Sequence, residues 1–241
     1  ADNGTTWAKI LNTPYLEGAL ETFDSRFDIV SSLVVNPVNG DLYAGTLNTV
    51  MRLPFGTSSW VLELGAIAGT TTGVVDVKIG TDGVVYAAFP GNGARPTTAT
   101  SVANEGVWRR NTLGTWTRIA GGGTPAWFNV NTIGIGGTSP FRVPLERIVL
   151  AIDPNDEKNV YALYSNGVSS DCAGTPAPEA EFGKYDTTTG TWIDLSVGLP
   201  DETGCLNGND PFATQTGYDL IVSVKPGNSN VIFIGGTNIY R

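Results

Sequence analysis

An all-β chain built from repeated four-stranded antiparallel units is the fold this sequence predicts, and three observations carry the expectation. Four short motifs recur in one order along the 241 residues. Each motif has the length of a strand and is apolar or aromatic at its centre. The turns between them carry Gly, Asn and Asp, the residues that tight hairpins require.

The first motif is an apolar run entering a turn, at Ile29–Pro37, Val74–Gly83, Ile148–Pro154 and Leu220–Pro226. The second is an aromatic strand, at Leu42–Ala44, Val85–Ala87, Val160–Ala162 and Ile232–Ile234. The third has a bulky centre and mostly a basic neighbour, at Val50–Arg52, Val107–Arg109, Gly183–Tyr185 and Ile239–Arg241. The fourth opens on tryptophan, at Trp7, Trp60, Trp116 and Trp192.

Four hairpin-linked strands per repeat describe the blade of a β-propeller. Three complete blades are expected, at about residues 29–64, 74–120 and 147–196. Residues 218–241 with 1–11 then form a fourth, composite blade, or the whole of 1–241 is a segment of a larger propeller. The tryptophans are expected between blades, and the second-strand aromatics in the blade-to-blade cores.

Composition narrows the function classes. Hydrophobic residues at 41% can build a core, and the 31 Gly and 14 Pro are scattered between apolar runs, which marks turns and not disorder. A net charge of −9 repels phosphate backbones, so no nucleic-acid partner is expected. No apolar stretch reaches membrane-spanning length, so no membrane insertion is expected. The chain opens on Ala1 without a visible signal peptide, so trimming of a longer precursor is expected. With no histidine, a Ser–His–Asp triad and His-ligated metal sites are excluded.

Asp2-Asn-Gly-Thr-Thr-Trp7 resembles an Asp-box, the S-x-D-x-G-x-x-W turn of sialidase-type (BNR) propeller repeats, without its leading Ser. The turns before Trp60, Trp116 and Trp192 are degenerate versions. Arg147–Pro154 and Tyr218–Pro226 resemble repeats of secreted surface propellers of Bacteroidetes-type bacteria. The resemblance implies a propeller fold and an extracellular or cell-surface location. It transfers no chemistry, because Asp-box turns support the fold.

Segment lengths predict which face works. Turns between first and second strands, and between third and fourth, are short. Every long segment is a second-to-third loop (Pro90–Glu105, Ser165–Glu181) or an interblade connection (Leu11–Asp28, Gly121–Glu146, Val197–Gly217). A meander sends all of these to one face, the expected binding face. Cys172 and Cys205 both fall in such segments, and a disulfide stapling them is expected, two free thiols being the alternative.

The candidate ligand-binding residues belong to the same face. Phe141-Arg142-Val143-Pro144 resembles the motif whose arginine grips the substrate carboxylate in sialidases, although here it lies in an interblade segment. Arg147 and Asp219 stand seven residues before Pro154 and Pro226, and are expected at a channel rim with Asp28 and Asp76. Carboxyls there would suit glycoside hydrolysis if correctly spaced; solvated or paired rim charges are the plainer account. Trp127, with Phe128, Tyr15, Phe141 and Phe212, offers platforms for sugar rings or anchors for the loops. Asp153–Glu157 and Asn207–Asp210 hold oxygen ligands suited to calcium but lack EF-hand spacing; polar turns are the plainer account, and no cofactor is expected.

The leading expectation is a non-catalytic recognition module for a glycan or surface protein, within a larger polypeptide. A glycoside hydrolase of sialidase or xyloglucanase-like type, and a structural spacer in a surface adhesin, are the alternatives. Catalytic residues are not assigned.

Overall fold

The computed structural model describes residues 4–8, 10, 27, 29–65, 73–90, 104–121, 147–165, 180–200 and 212–241. Among them the fold is all-β, with helical structure limited to short 3-10 turns at Ser196–Gly198 and Gln215–Gly217. The first sheet contains β1 (Val30–Val35), β2 (Leu42–Thr46), β3 (Thr49–Leu53) and β4 (Val61–Gly65). The second contains β5 (Asp76–Ile79), β6 (Val85–Phe89), β7 (Gly106–Arg110) and β8 (Trp116–Ala120). The third contains β9 (Ile148–Ile152), β10 (Asn159–Ser165), β11 (Ala180–Asp186) and β12 (Thr191–Asp194). The fourth has three strands, β13 (Ile221–Val224), β14 (Ile232–Gly235) and β15 (Ile239–Tyr240). All four sheets are antiparallel meanders in chain order.

Burial follows from stacking. A strand covered on both faces reads as a continuous apolar run, whereas a half-covered one alternates. β6 is buried throughout, while β13 alternates exposed and buried residues. Three apolar cores fill the three spaces between successive sheets. Tyr43, Val50, Val77, Val85 and Phe89 lie between the first and second. Tyr86, Val107, Leu150 and Val160 lie between the second and third. Tyr161, Phe182, Val222 and Ile234 lie between the third and fourth. The first strands line up at one side of the stack, β1 against β5, β5 against β9, and β9 against β13.

Register makes the repeat explicit. Val34, Lys78, Ala151 and Ser223 sit opposite Tyr43, Tyr86, Tyr161 and Phe233. Two residues earlier, on the same face, come Ser32, Asp76, Val149 and Ile221. Between them, on the other face, come Leu33, Val77, Leu150 and Val222. The second-strand aromatics pack between sheets as expected for Tyr43, Tyr86 and Tyr161.

Of the residues expected to complete a fourth blade, 4–8 and 10 form no strand and Trp7 is 90% exposed, and 1–3, 9 and 11 lie outside the described residues. Among the described residues the four sheets follow one another in a row and no closed ring is seen. The aromatic signal of Trp7 is the same as at Trp116 and Trp192, but it meets no sheet to pack on. Trp116 instead packs on the first core, and Trp192 on the second while donating Nε1–H to the Ile119 carbonyl at 2.7 Å. Trp60 meets Phe27 in a tilted contact, with ring centroids 5.0 Å apart.

Candidate binding face

The meanders give the row two dissimilar edges. One edge carries only compact turns, at 36–41, 54–60, 80–84, 111–115, 153–158 and 187–190. Local side-chain acceptors hold these turns. Asn36 Oδ1 accepts Val38 N–H, and at the equivalent turn Asp153 Oδ1 accepts Asn155 N–H, both at 2.9 Å. Asn111 Oδ1 accepts from Leu113 and Thr115, and at the matching place Asp186 Oδ1 accepts from Thr188 and Thr189. The Thr188 N–H is the main reason the Asp186 carboxyl lies below its ordinary value, with the Thr189 N–H adding to it. Gly114 and Gly190 then turn the chain at φ +92° and +71°, where a Cβ is disfavoured, and deliver Trp116 and Trp192 into the cores.

Neighbouring sheets are also tied along this edge. Glu157 accepts Thr81 N–H at 2.9 Å, and Asn155 Nδ2 donates to the Lys225 carbonyl at 3.0 Å. An edge occupied by its own hydrogen bonds is a frame.

The opposite edge releases every long segment: 66–75, 90–105, 121–147, 166–179 and 195–220. Its described residues include a row of buried polar groups. Thr46 and Thr49 share a hydroxyl–hydroxyl hydrogen bond, and Thr214 Oγ1 donates to Ser165 Oγ at 3.1 Å. Glu105 and Glu181, at the starts of β7 and β11, are 4% and 0% exposed. Arg147 reaches from the third sheet to the fourth, donating from Nη1 to the Tyr218 carbonyl at 3.2 Å. Asp219, the register equivalent of Arg147, follows directly and is partly exposed. The structure therefore brings Arg147 and the Tyr218-Asp219 segment together.

Asp76 does not stand at an open rim. It is 6% exposed, and its Oδ2 accepts the Leu150 N–H at 2.8 Å while Oδ1 meets Lys78 Nζ at 2.8 Å. As the first residue of β5 it lies on the face of Lys78, which is turned between the second and third sheets, and there it pins β5 to β9. Ser32, at the same register position, does the corresponding job between β1 and β5 by accepting the Val77 N–H at 2.9 Å. Phe212 is also an anchor, 1% exposed and edge-on to Tyr240 at 5.5 Å. Arg142, Trp127, Cys172, Cys205, Asp28, Tyr15, Phe141 and Phe128 lie outside the described residues.

One charged assembly has no counterpart among the expectations. Between the first and second sheets, Glu63 accepts Arg52 Nε at 2.5 Å and Arg110 Nε at 2.9 Å, and Arg52 Nη1 continues to Asp41 at 3.0 Å. Arg110 also lies 5.8 Å from the centroid of the Tyr43 ring. Burial pushes the Glu63 carboxyl up, but the Arg52 hydrogen bond and the Arg110 and Arg52 charges outweigh it and hold it below its ordinary value. Four separate strands and turns contribute, so linear spacing gave no signal. These groups satisfy one another and sit at the compact-turn edge, which marks a structural brace.

Among the described residues, no group of three or more acidic or cysteine side chains is placed to hold a metal ion, and no helix is long and apolar enough to cross a membrane. No protein-family model matches the chain, and no curated protein matches it significantly.

Proposed function

We propose that the four sheets are an arc of a β-propeller in a secreted or cell-surface protein, and that the arc recognises a glycan or a surface protein without chemically altering it. The observation that carries this reading is the asymmetry of the two edges. Compact, self-satisfied turns fill one, and all the long connections leave from the other. Long segments anchored on a rigid sheet stack are the usual carriers of binding function. The radial order supports the propeller form, because the first strands adjoin one another most closely at all three sheet boundaries, with each second strand also meeting the next first strand. The engagement of Asp76 with Lys78 and Leu150 N–H supports binding over hydrolysis, since it withdraws one of the carboxyls a glycosidase would need.

Arg147 is the described cation at this edge and suits an acidic sugar or a carboxylate-bearing protein surface. The test is a panel of glycans and surface proteins incubated with the chain, with bound species recovered and analysed by mass spectrometry. Retention of an unmodified ligand, weakened about tenfold or more by Arg147→Ala, is expected. Cleaved glycans would overturn the non-catalytic reading. Failure to retain any glycan or protein would overturn recognition itself.

A further inference from the structure

The two ends of the row expose complementary halves of one repeated interface. At each internal boundary, one sheet presents its second-strand aromatic and the next presents an aliphatic first-strand residue. Tyr43, Tyr86 and Tyr161 are 0%, 3% and 4% exposed because a following sheet covers them. Phe233, in the same register, is 38% exposed, with Ile221 at 59% and Ile239 at 80% on the same face. At the other end the pattern inverts. Val77, Leu150 and Val222 are 0%, 1% and 8% exposed beneath a preceding sheet, whereas Leu33 is 59% exposed. Val35 is 60% exposed, while its equivalent in the last sheet, Val224, is 3% exposed.

We propose that these faces join two copies of the chain head to tail, the Phe233 face of one copy covering the Leu33 face of the next. Three internal boundaries already show how such faces fit, so the contact continues an interface the molecule uses throughout. Both faces lie in one chain but do not meet among the described residues, which favours a second copy over an unrelated occupant. The contact is heterologous, one face against a different one. It needs no buried polar link, because the boundary between the third and fourth sheets has Val149 where Ser32 and Asp76 stand. Isolated apolar side chains are ordinary on surfaces, but a contiguous sheet face with several of them marks an interaction site.

Light scattering coupled to size exclusion on the 241-residue chain gives the deciding mass. The wild-type chain is expected to weigh two or more copies and to dissociate on dilution. Leu33→Asp and Phe233→Asp, both at exposed positions, are each expected to give single copies with unchanged circular dichroism. Mixed in equal amounts, they are expected to form a species of two copies and no larger, because each retains the face the other lost. A wild-type chain of one-copy mass at high concentration overturns the proposal, whether or not the variants fold, and leaves the faces to further sheets of the same repeat. Self-association of either variant as strong as wild type also overturns it, because a face would then be pairing with itself.

Discussion

Asp76 Oδ2 accepts the backbone N–H of Leu150 at 2.8 Å, so a carboxylate in the second sheet completes the hydrogen bonding of a strand edge in the third. Asp76→Ala leaves that buried N–H without its acceptor, at a cost of about 1–3 kcal/mol. Asp76→Asn keeps an acceptor oxygen and loses only the pairing with half-exposed Lys78, so its urea midpoint is expected between alanine and wild type. Equal midpoints for Asp76→Ala and wild type would show that the link contributes nothing.

Glu63 sets an acid limit on stability. A carboxyl held below its ordinary value in the fold stabilises it fully above the unfolded pKa, about 4.3 for Glu. That contribution fades as pH falls through the lower folded value. Stability measured by denaturant is therefore expected to drop below about pH 4, less steeply in Glu63→Gln. At neutral pH, Glu63→Ala should cost near the lower end of about 3–5 kcal/mol, because both guanidinium groups keep some solvent contact. An unchanged acid limb in Glu63→Gln would assign the transition to other carboxyls.

The repeated tryptophans separate by context. Trp192→Ala removes a ring packed on Tyr185 and on the second core, with its Nε1–H bond, and is expected to cost about 3–5 kcal/mol. Trp7→Ala, at a 90% exposed ring, should change stability by less than about 0.5 kcal/mol. Thermal or urea unfolding of the two variants checks both, and a large loss in Trp7→Ala would mean that the N-terminal segment does pack on a sheet.

Gly45 is needed for space. A Cβ there collides with the Val75 carbonyl oxygen and the Ser32 hydroxyl, both fixed by the hydrogen bonds that join β1 to β5. Gly45→Ala is expected to cost about 1–3 kcal/mol through forced separation of the sheets. An unfolding midpoint at the wild-type value would show that the sheets yield freely.

The strands of the four sheets were legible because their burial is periodic and their turn residues are local. Tyr43, Tyr86 and Tyr161 announce the second strands, and the Gly-Thr-Trp sequences at 114–116 and 190–192 announce the fourth ones. Closure was not legible, because Trp7 carries the repeat signal without a sheet to receive it. Asp76 looked like a rim charge because it begins a strand, yet period-two geometry turns it inward. Comparing it with Ser32 at the same register would have revealed the inter-sheet role. The Asp41–Arg52–Glu63–Arg110 brace depends on contacts between two sheets, and no spacing within one of them encodes it.

The chain-order meander also bears on how the protein is made. Every paired strand in the described residues adjoins the strand before or after it in sequence, and no sheet recruits a strand from another repeat. Ribosomal synthesis can therefore finish one sheet before the next emerges, and each new sheet finds its docking surface already built. The Leu33 end is the first to exist and the Phe233 end the last, so the row grows in one direction on a template of its own making.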